Sequence, residues 1–222
     1  MSMAIRKRTI KYYFTVEGDT ELWYFDWLEK QIISELDATR RVLFVCKKKD
    51  PLKNAKDLPI TQPTVVTHIM DYESDEPVHS ARFATILGRM KKAGTIGKRI
   101  SYKLGYSNFT FELWIILHKA DCFSSYAYRR QYLEPINRAY NENFTNLDHY
   151  KREANFKRVL GKLCLQDVKD AVYRARAIAD RNQDNGYSLI NYKGYSYYRE
   201  NPSLSIWEPV NRILADCGLM KE

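Results

Sequence analysis

Four carboxylates, Glu17, Asp71, Glu73 and Glu112, carry the strongest chemical promise in this sequence. Glu17, followed by Gly18, ends an alternating run from Arg8 in which Ile10, Tyr12, Phe14 and Val16 share one side. Asp71-Tyr72-Glu73 follows directly on the apolar run Thr64 to Met70, and Glu112 stands early in the apolar stretch Ser107 to Lys119. Clustered carboxylates repel one another unless a cation or a proton intervenes. A hard divalent ion, Mg2+ or Mn2+, answers that need, because it takes carboxylate oxygens and keeps several waters. Such an ion polarises a phosphoryl oxygen and activates an attacking water, the chemistry of phosphodiester hydrolysis. The spacing lets Asp71 and Glu73 converge on one ion, with Glu17 as a further ligand or a general base. Carboxylates after strands also serve as caps and solvated turn residues. Asp75 and Glu76, just before Pro77, are read that way.

The elements around these residues predict how they are positioned. Arg8 to Glu17, Arg41 to Lys47, Thr64 to Met70 and Arg99 to Lys103 have strand character. Helices are expected over Thr20 to Leu36, Val78 to Lys92 and Ser107 to Lys119, the last capped by Ser107. Strands alternating with helices imply an α/β fold with a mostly parallel, four-stranded sheet flanked by helices. In such sheets ligands bind beyond the carboxyl ends of the strands, so Glu17 and Asp71 share a rim if their strands are parallel neighbours. Asn108 and Glu112 fall on one helix face and are expected to border that rim. Lys119 is read as solvated and His118 as packed. Lys48 to Pro63 and Asn185 to Asn201 read as loops. After about residue 120 the chain reads as mainly helical, with Ala171 to Asp184 and Ser205 to Cys217 the clearest cases. Residues 1–120 are expected to form the α/β core and 121–222 a helical elaboration of one domain.

A chain of 222 residues with 45% hydrophobic content has enough apolar surface to bury a core. Its net charge of +9 favours a polyanionic partner, DNA or RNA. Lys47, Lys48, Lys49, Lys98 and Arg99 are candidate phosphate contacts, with Lys91-Lys92 and Arg129-Arg130 as further basic pairs. Tyr187, Tyr192, Tyr195, Tyr197 and Tyr198 interleave with Lys193 and Arg199, a mixture suited to stacking on unpaired bases and equally to covering a core. The four cysteines are far apart, with no metal-binding spacing, and are expected to be reduced thiols. Met1 to Arg8 is basic but no signal-like apolar run follows, and no segment is long enough to span a bilayer. A soluble cytoplasmic protein with no membrane contact is expected.

Val16-Glu17-Gly18-Asp19-Thr20-Glu21-Leu22-Trp23-Tyr24-Phe25 resembles the opening motif of RloB-like proteins. Ser107-Asn108-Phe109-Thr110-Phe111-Glu112-Leu113-Trp114-Ile115-Ile116-Leu117-His118 is similar to that family's SNPxFELWLLLH signature. Asp71-Tyr72-Glu73 stands at its acidic motif and Asn201-Pro202-Ser203 at its terminal NPS element. Glu73 replaces the usual second aspartate, and Phe109 and Thr110 depart from the Pro and Cys of the signature. The resemblance implies a Toprim-like (Rossmann-like) fold, with magnesium held by Glu17, Asp71 and Glu73, and Glu112 in support. It further implies a nuclease acting in bacterial anti-phage defence (abortive infection) beside an ATPase partner. A non-catalytic binding or sensor subunit of an ATPase complex is the alternative, favoured by the longer arm of Glu73. Nucleotidyl transfer is a third reading, without a Gly-rich phosphate loop to support it. The oligomeric state stays open, a homo-oligomer included.

Overall fold

The computed structural model describes residues 7–221, so most of the basic stretch before Arg8 lies outside the described residues. Strand β1 (Thr9–Val16) runs between β2 (Arg41–Lys48) and β3 (Thr64–Tyr72), and β3 pairs with β4 (Ile100–Asn108). All three pairings are parallel. A fifth strand, the two-residue β7 (Ser203–Leu204), adds antiparallel to the end of β4, so the sheet order is β2-β1-β3-β4-β7. The expected four strands are therefore corrected to five. A strand of two residues has no periodicity to betray it, and only its pairing with Ser107 and Asn108 defines it.

Helices cover both faces. On one side α1 (Asp19–Ser34), α4 (Glu112–Leu117) and α9 (Trp207–Asp216) pack over Phe14, Val16 and Ile69. The same apolar cluster continues into α5 (Leu133–Tyr140), α7 (Glu153–Leu160) and α8 (Leu165–Asp184). On the other side α2 (Pro51–Asp57) and α3 (Pro77–Ala93) pack over Val66, Met70 and Tyr72. A short α6 (Leu147–Tyr150) lies between α5 and α7, and a hairpin of β5 (Ile190–Tyr192) and β6 (Tyr195–Tyr197) sits outside the main sheet. No helix among the described residues is long and apolar enough to cross a membrane.

Three local expectations change. Lys48 to Pro63 is not all loop: Asp50 caps α2 by accepting from the Lys53 N–H at 3.0 Å, and Pro51 occupies its first turn. Asn185 to Asn201 contains the β5–β6 hairpin, whose Tyr197 is buried against Tyr72, Phe83 and Tyr106. Ser107 caps no helix, since β4 continues through Asn108 and α4 begins only at Glu112. The side-chain amide of Asn108 donates to the carbonyls of Arg199 (2.6 Å) and Glu200 (3.2 Å), which ties it to the segment before β7.

Candidate active site

The parallel pairing of β1 with β3 brings Glu17 and Asp71 to the same carboxyl edge, as the sequence implied. Their register then separates them. Val16 lies level with Ile69, so Asp71 shares the sheet face of Val16, Ile69 and the α1/α4 layer. Glu17 follows Val16 by one residue and belongs to the α2/α3 side.

On the α3 side, Arg82 bridges two carboxylates, with Nη2 3.4 Å from Glu17 Oε1 and Nη1 2.9 Å from Glu73 Oε1. His79 Nε2 adds a contact to Glu73 Oε2 at 3.5 Å. Burial, only partly offset by Arg82, pushes the Glu17 carboxyl above its ordinary range, and the neighbouring Glu21 and Glu73 push the same way.

On the other face Glu112 and Glu21 are buried and Asp71 is half-buried. Glu112 is fully enclosed, and Lys151, just after α6, places Nζ 3.0 Å from its Oε1. Thr110 donates its hydroxyl to the other oxygen. Burial alone would raise the Glu112 carboxyl, but Lys151 and Arg129 outweigh it and hold the group below its usual range. Glu21 is 4% exposed and folds back toward Gly18, where an added Cβ would stand 2.5 Å from Glu21 Oε2. Gly18 has an ordinary extended backbone (φ −119°), so the glycine leaves room for that carboxylate and does not relieve strain. Burial raises Glu21, and burial with the Glu21 and Glu112 charges raises Asp71 strongly against the pull of Lys151 and Arg129. Two buried hydroxyls beside these acids, Ser107 Oγ and Tyr150 Oη, have no protein partner among the described residues.

Two carboxylates that resist ionising, Glu21 and Asp71, with unsatisfied hydroxyls nearby, fit a hard cation in donor chemistry. In arrangement they are not gathered: among the described residues no three His, Cys, Asp or Glu side chains are placed to share an ion. Asp71 and Glu73 do not converge, because Asp71 joins Glu21 and Glu112 while Glu73 is held by Arg82 and His79.

The predicted basic contacts divide by location. Lys47 and Lys48 end β2 at the acidic edge; Lys48 pairs with Asp19 at 2.8 Å and Lys49 with Asp57. Lys98 and Arg99 precede β4 at the opposite end of the sheet. The Lys98 ammonium donates to the carbonyls of Ala55 and Leu58, both at 3.0 Å, and so closes the end of α2. Lys119 is not simply solvated but pairs with Asp167 at 2.8 Å. His118 is packed as expected, with Nδ1 2.8 Å from the Trp114 carbonyl and Nε2 3.1 Å from the Tyr24 hydroxyl. Sequence reading missed Glu21, Lys151 and His68 as site residues and took Arg129 for a phosphate contact, whereas it lies among the buried acids. Glu21 lies one helical turn beyond Glu17, a usable signal, but an acid in a first turn passes for a dipole partner. Lys151 and Arg129 reach the site only through tertiary packing.

A mostly parallel sheet with an acidic cluster at its carboxyl edge places this chain among mixed α/β proteins with a charged rim site. Its sequence then fixes the family: the family described as RloB-like protein matches residues 12–213, nearly the whole chain, and the chain belongs to it. No curated protein and no solved structure matches it.

Proposed function

We propose that this chain is a divalent-metal-dependent nuclease of Toprim-like type that hydrolyses nucleic-acid phosphodiesters. The carrying observation is the concentration of Glu17, Glu21, Asp71 and Glu112 at one sheet edge, with three of the four disfavoured as anions by burial. Glu17 and Asp71 are the first candidates to hold Mg2+ or Mn2+, with Glu21 behind them. The ion, when bound, supplies Lewis-acid polarisation of the phosphoryl group and activates water. With Glu17 counted among the candidate ligands, the proton released as the water oxygen bonds to phosphorus passes to solvent. The bond from phosphorus to the leaving oxygen breaks, and that oxygen is protonated from solvent. Lys151 and Arg129 keep Glu112 ionised and fixed. The family resemblance supports an effector role in bacterial anti-phage defence with an ATPase partner.

Glu17→Gln and Asp71→Asn are expected to abolish Mg2+- or Mn2+-dependent cleavage of DNA or RNA. Asp71→Asn should also melt higher than the parent at neutral pH without metal. A carboxyl whose pKa is raised in the fold costs stability progressively as pH climbs from its unfolded value toward the folded one, and the amide removes the cost. Undiminished cleavage by both variants would refute the proposal. One observation favours a non-catalytic binding subunit instead: Arg82 neutralises Glu17 and Glu73 internally. That reading predicts association with an ATPase and no cleavage with any metal.

A further inference from the structure

A cavity of about 450 Å3 opens beside Glu17, between the turn that follows β2 and helix α3. His68, from the middle of β3, forms part of its wall and is 2% exposed. Its Nδ1 lies 2.8 Å from Thr15 Oγ1, but its Nε2 is buried with no partner among the described residues. An unsatisfied buried polar atom costs roughly 1–3 kcal/mol, and nothing in the packing repays it. Neighbours on the same face, Val66 and Met70, show that an aliphatic side chain suits this layer. Burial holds the imidazole neutral, with its pKa down to about 4.

The charges around the cavity are four cations, Lys48, Lys49, Arg82 and Arg89, against the carboxylates of Glu17 and Asp50. Each cation rests on a carboxylate at present, Arg89 on Asp50 at 2.8 Å. These pairs are largely solvent-exposed and worth about 1 kcal/mol or less each, so a better anion can recruit the cations at little cost. Thr15 Oγ1 and His68 Nδ1 share one hydrogen bond, and in the tautomer in which the hydroxyl donates, the neutral ring carries its proton on Nε2, where an anionic oxygen would accept it.

From this juxtaposition we propose that the cavity is a phosphate subsite, in which His68 Nε2, Arg89 and Lys49 hold a phosphate of the substrate strand adjacent to the acidic edge. The strand role rests on the nuclease reading above; the phosphate site does not. His68, Arg89 and Lys49 are positioning residues, which hold the strand and take no part in bond cleavage.

The test is run on the full chain with EDTA present, so that no cleavage intervenes. Inorganic phosphate is titrated while the 15N-labelled imidazoles are followed by NMR, and binding is measured by calorimetry. His68 signals are expected to shift saturably. Arg89→Ala, an exposed substitution safe for the fold, should weaken phosphate about tenfold or more, as should His68→Leu, which keeps an apolar filler in the layer. Short oligonucleotides of one sequence with 5′-phosphate or 5′-hydroxyl ends then distinguish the source. Tighter binding of the phosphorylated strand, lost in Arg89→Ala, assigns a strand end; equal binding, weakened in Arg89→Ala, assigns a backbone diester. No shift at His68, or unchanged phosphate affinity in both variants, overturns the subsite. Phosphate binding without metal-dependent cleavage would retain the subsite and remove the nuclease reading; cleavage with KM unchanged in Arg89→Ala and His68→Leu would do the reverse.

Discussion

Replacing Lys151 with Met tests whether the buried acids form an interdependent charge cluster. Lys151 Nζ is 3.0 Å from Glu112 Oε1, and the Glu112 side chain has no exposed surface. Removing the ammonium leaves Glu112 facing Asp71 and Glu21, with Arg129 as the remaining named cation. Losing one partner of a buried ion pair costs about 3–5 kcal/mol, because the other charge stays desolvated. Whole-protein stability is typically about 5–15 kcal/mol, so the loss is a large share of it. At roughly 2–4 °C per kcal/mol for a chain of this size, the melting temperature should fall by about 6–20 °C. Glu112→Gln alone should cost less, since Lys151 is 25% exposed and can turn to water, while the amide retains an oxygen for Thr110. The double variant Lys151→Met/Glu112→Gln should recover most of the loss. Urea denaturation at neutral pH with EDTA reads all three. The reasoning fails if Lys151→Met lies within about 1 kcal/mol of the parent, or if the double variant is no more stable than the single.

Two further outcomes follow from the same electrostatics. His68 is neutral in the fold with a pKa near 4, whereas an unfolded histidine titrates near 6.5. Its stabilising contribution is therefore complete above about pH 6.5 and is lost as pH falls toward 4, by an amount on the order of 3 kcal/mol. Stability measured against pH should accordingly fall more steeply over that window for the parent than for His68→Leu, and parallel profiles would refute the assignment. Arg82→Ala removes the guanidinium that competes for Glu17 and Glu73, so calorimetric Mn2+ affinity should rise about tenfold. Unchanged or weaker uptake would show that Arg82 does not stand in for a cation.

Much of the framework was legible because it rests on local patterns. The alternation of Ile10, Tyr12, Phe14 and Val16 and the apolar run before Asp71 mark two strands that do pair in parallel. Position at the rim followed from that pairing, but the contacts did not. Whether Glu17 and Asp71 face the same side depends on a single residue of register, which no spacing within either strand encodes. Asp50-Pro51 was a readable helix start, obscured by the lysines around it. The end of β4 was misread because Ser107 and Asn108 are good caps in isolation. Their strand pairing to β7 and the bonds of Asn108 to Arg199 and Glu200 come from a segment about 90 residues away. His68 was invisible for a related reason, since one histidine in an apolar strand carries no signal until its unpartnered nitrogen is seen against a cavity.

The division into an α/β core and a helical elaboration also takes on a different meaning at the site. Arg129 and Lys151 both come from the second half of the chain, yet they balance acids supplied by β3, α1 and α4. The apolar cluster that carries α5, α7 and α8 is continuous with the one beneath β1. The elaboration therefore does more than cover the sheet: its two cations offset the mutual repulsion of Glu21, Asp71 and Glu112. Any divalent cation drawn to Asp71 and Glu21 would share those acids with Lys151 and Arg129. Metal uptake and the seating of residues 129 and 151 must then be linked, because each changes the electrostatic cost that the other relieves.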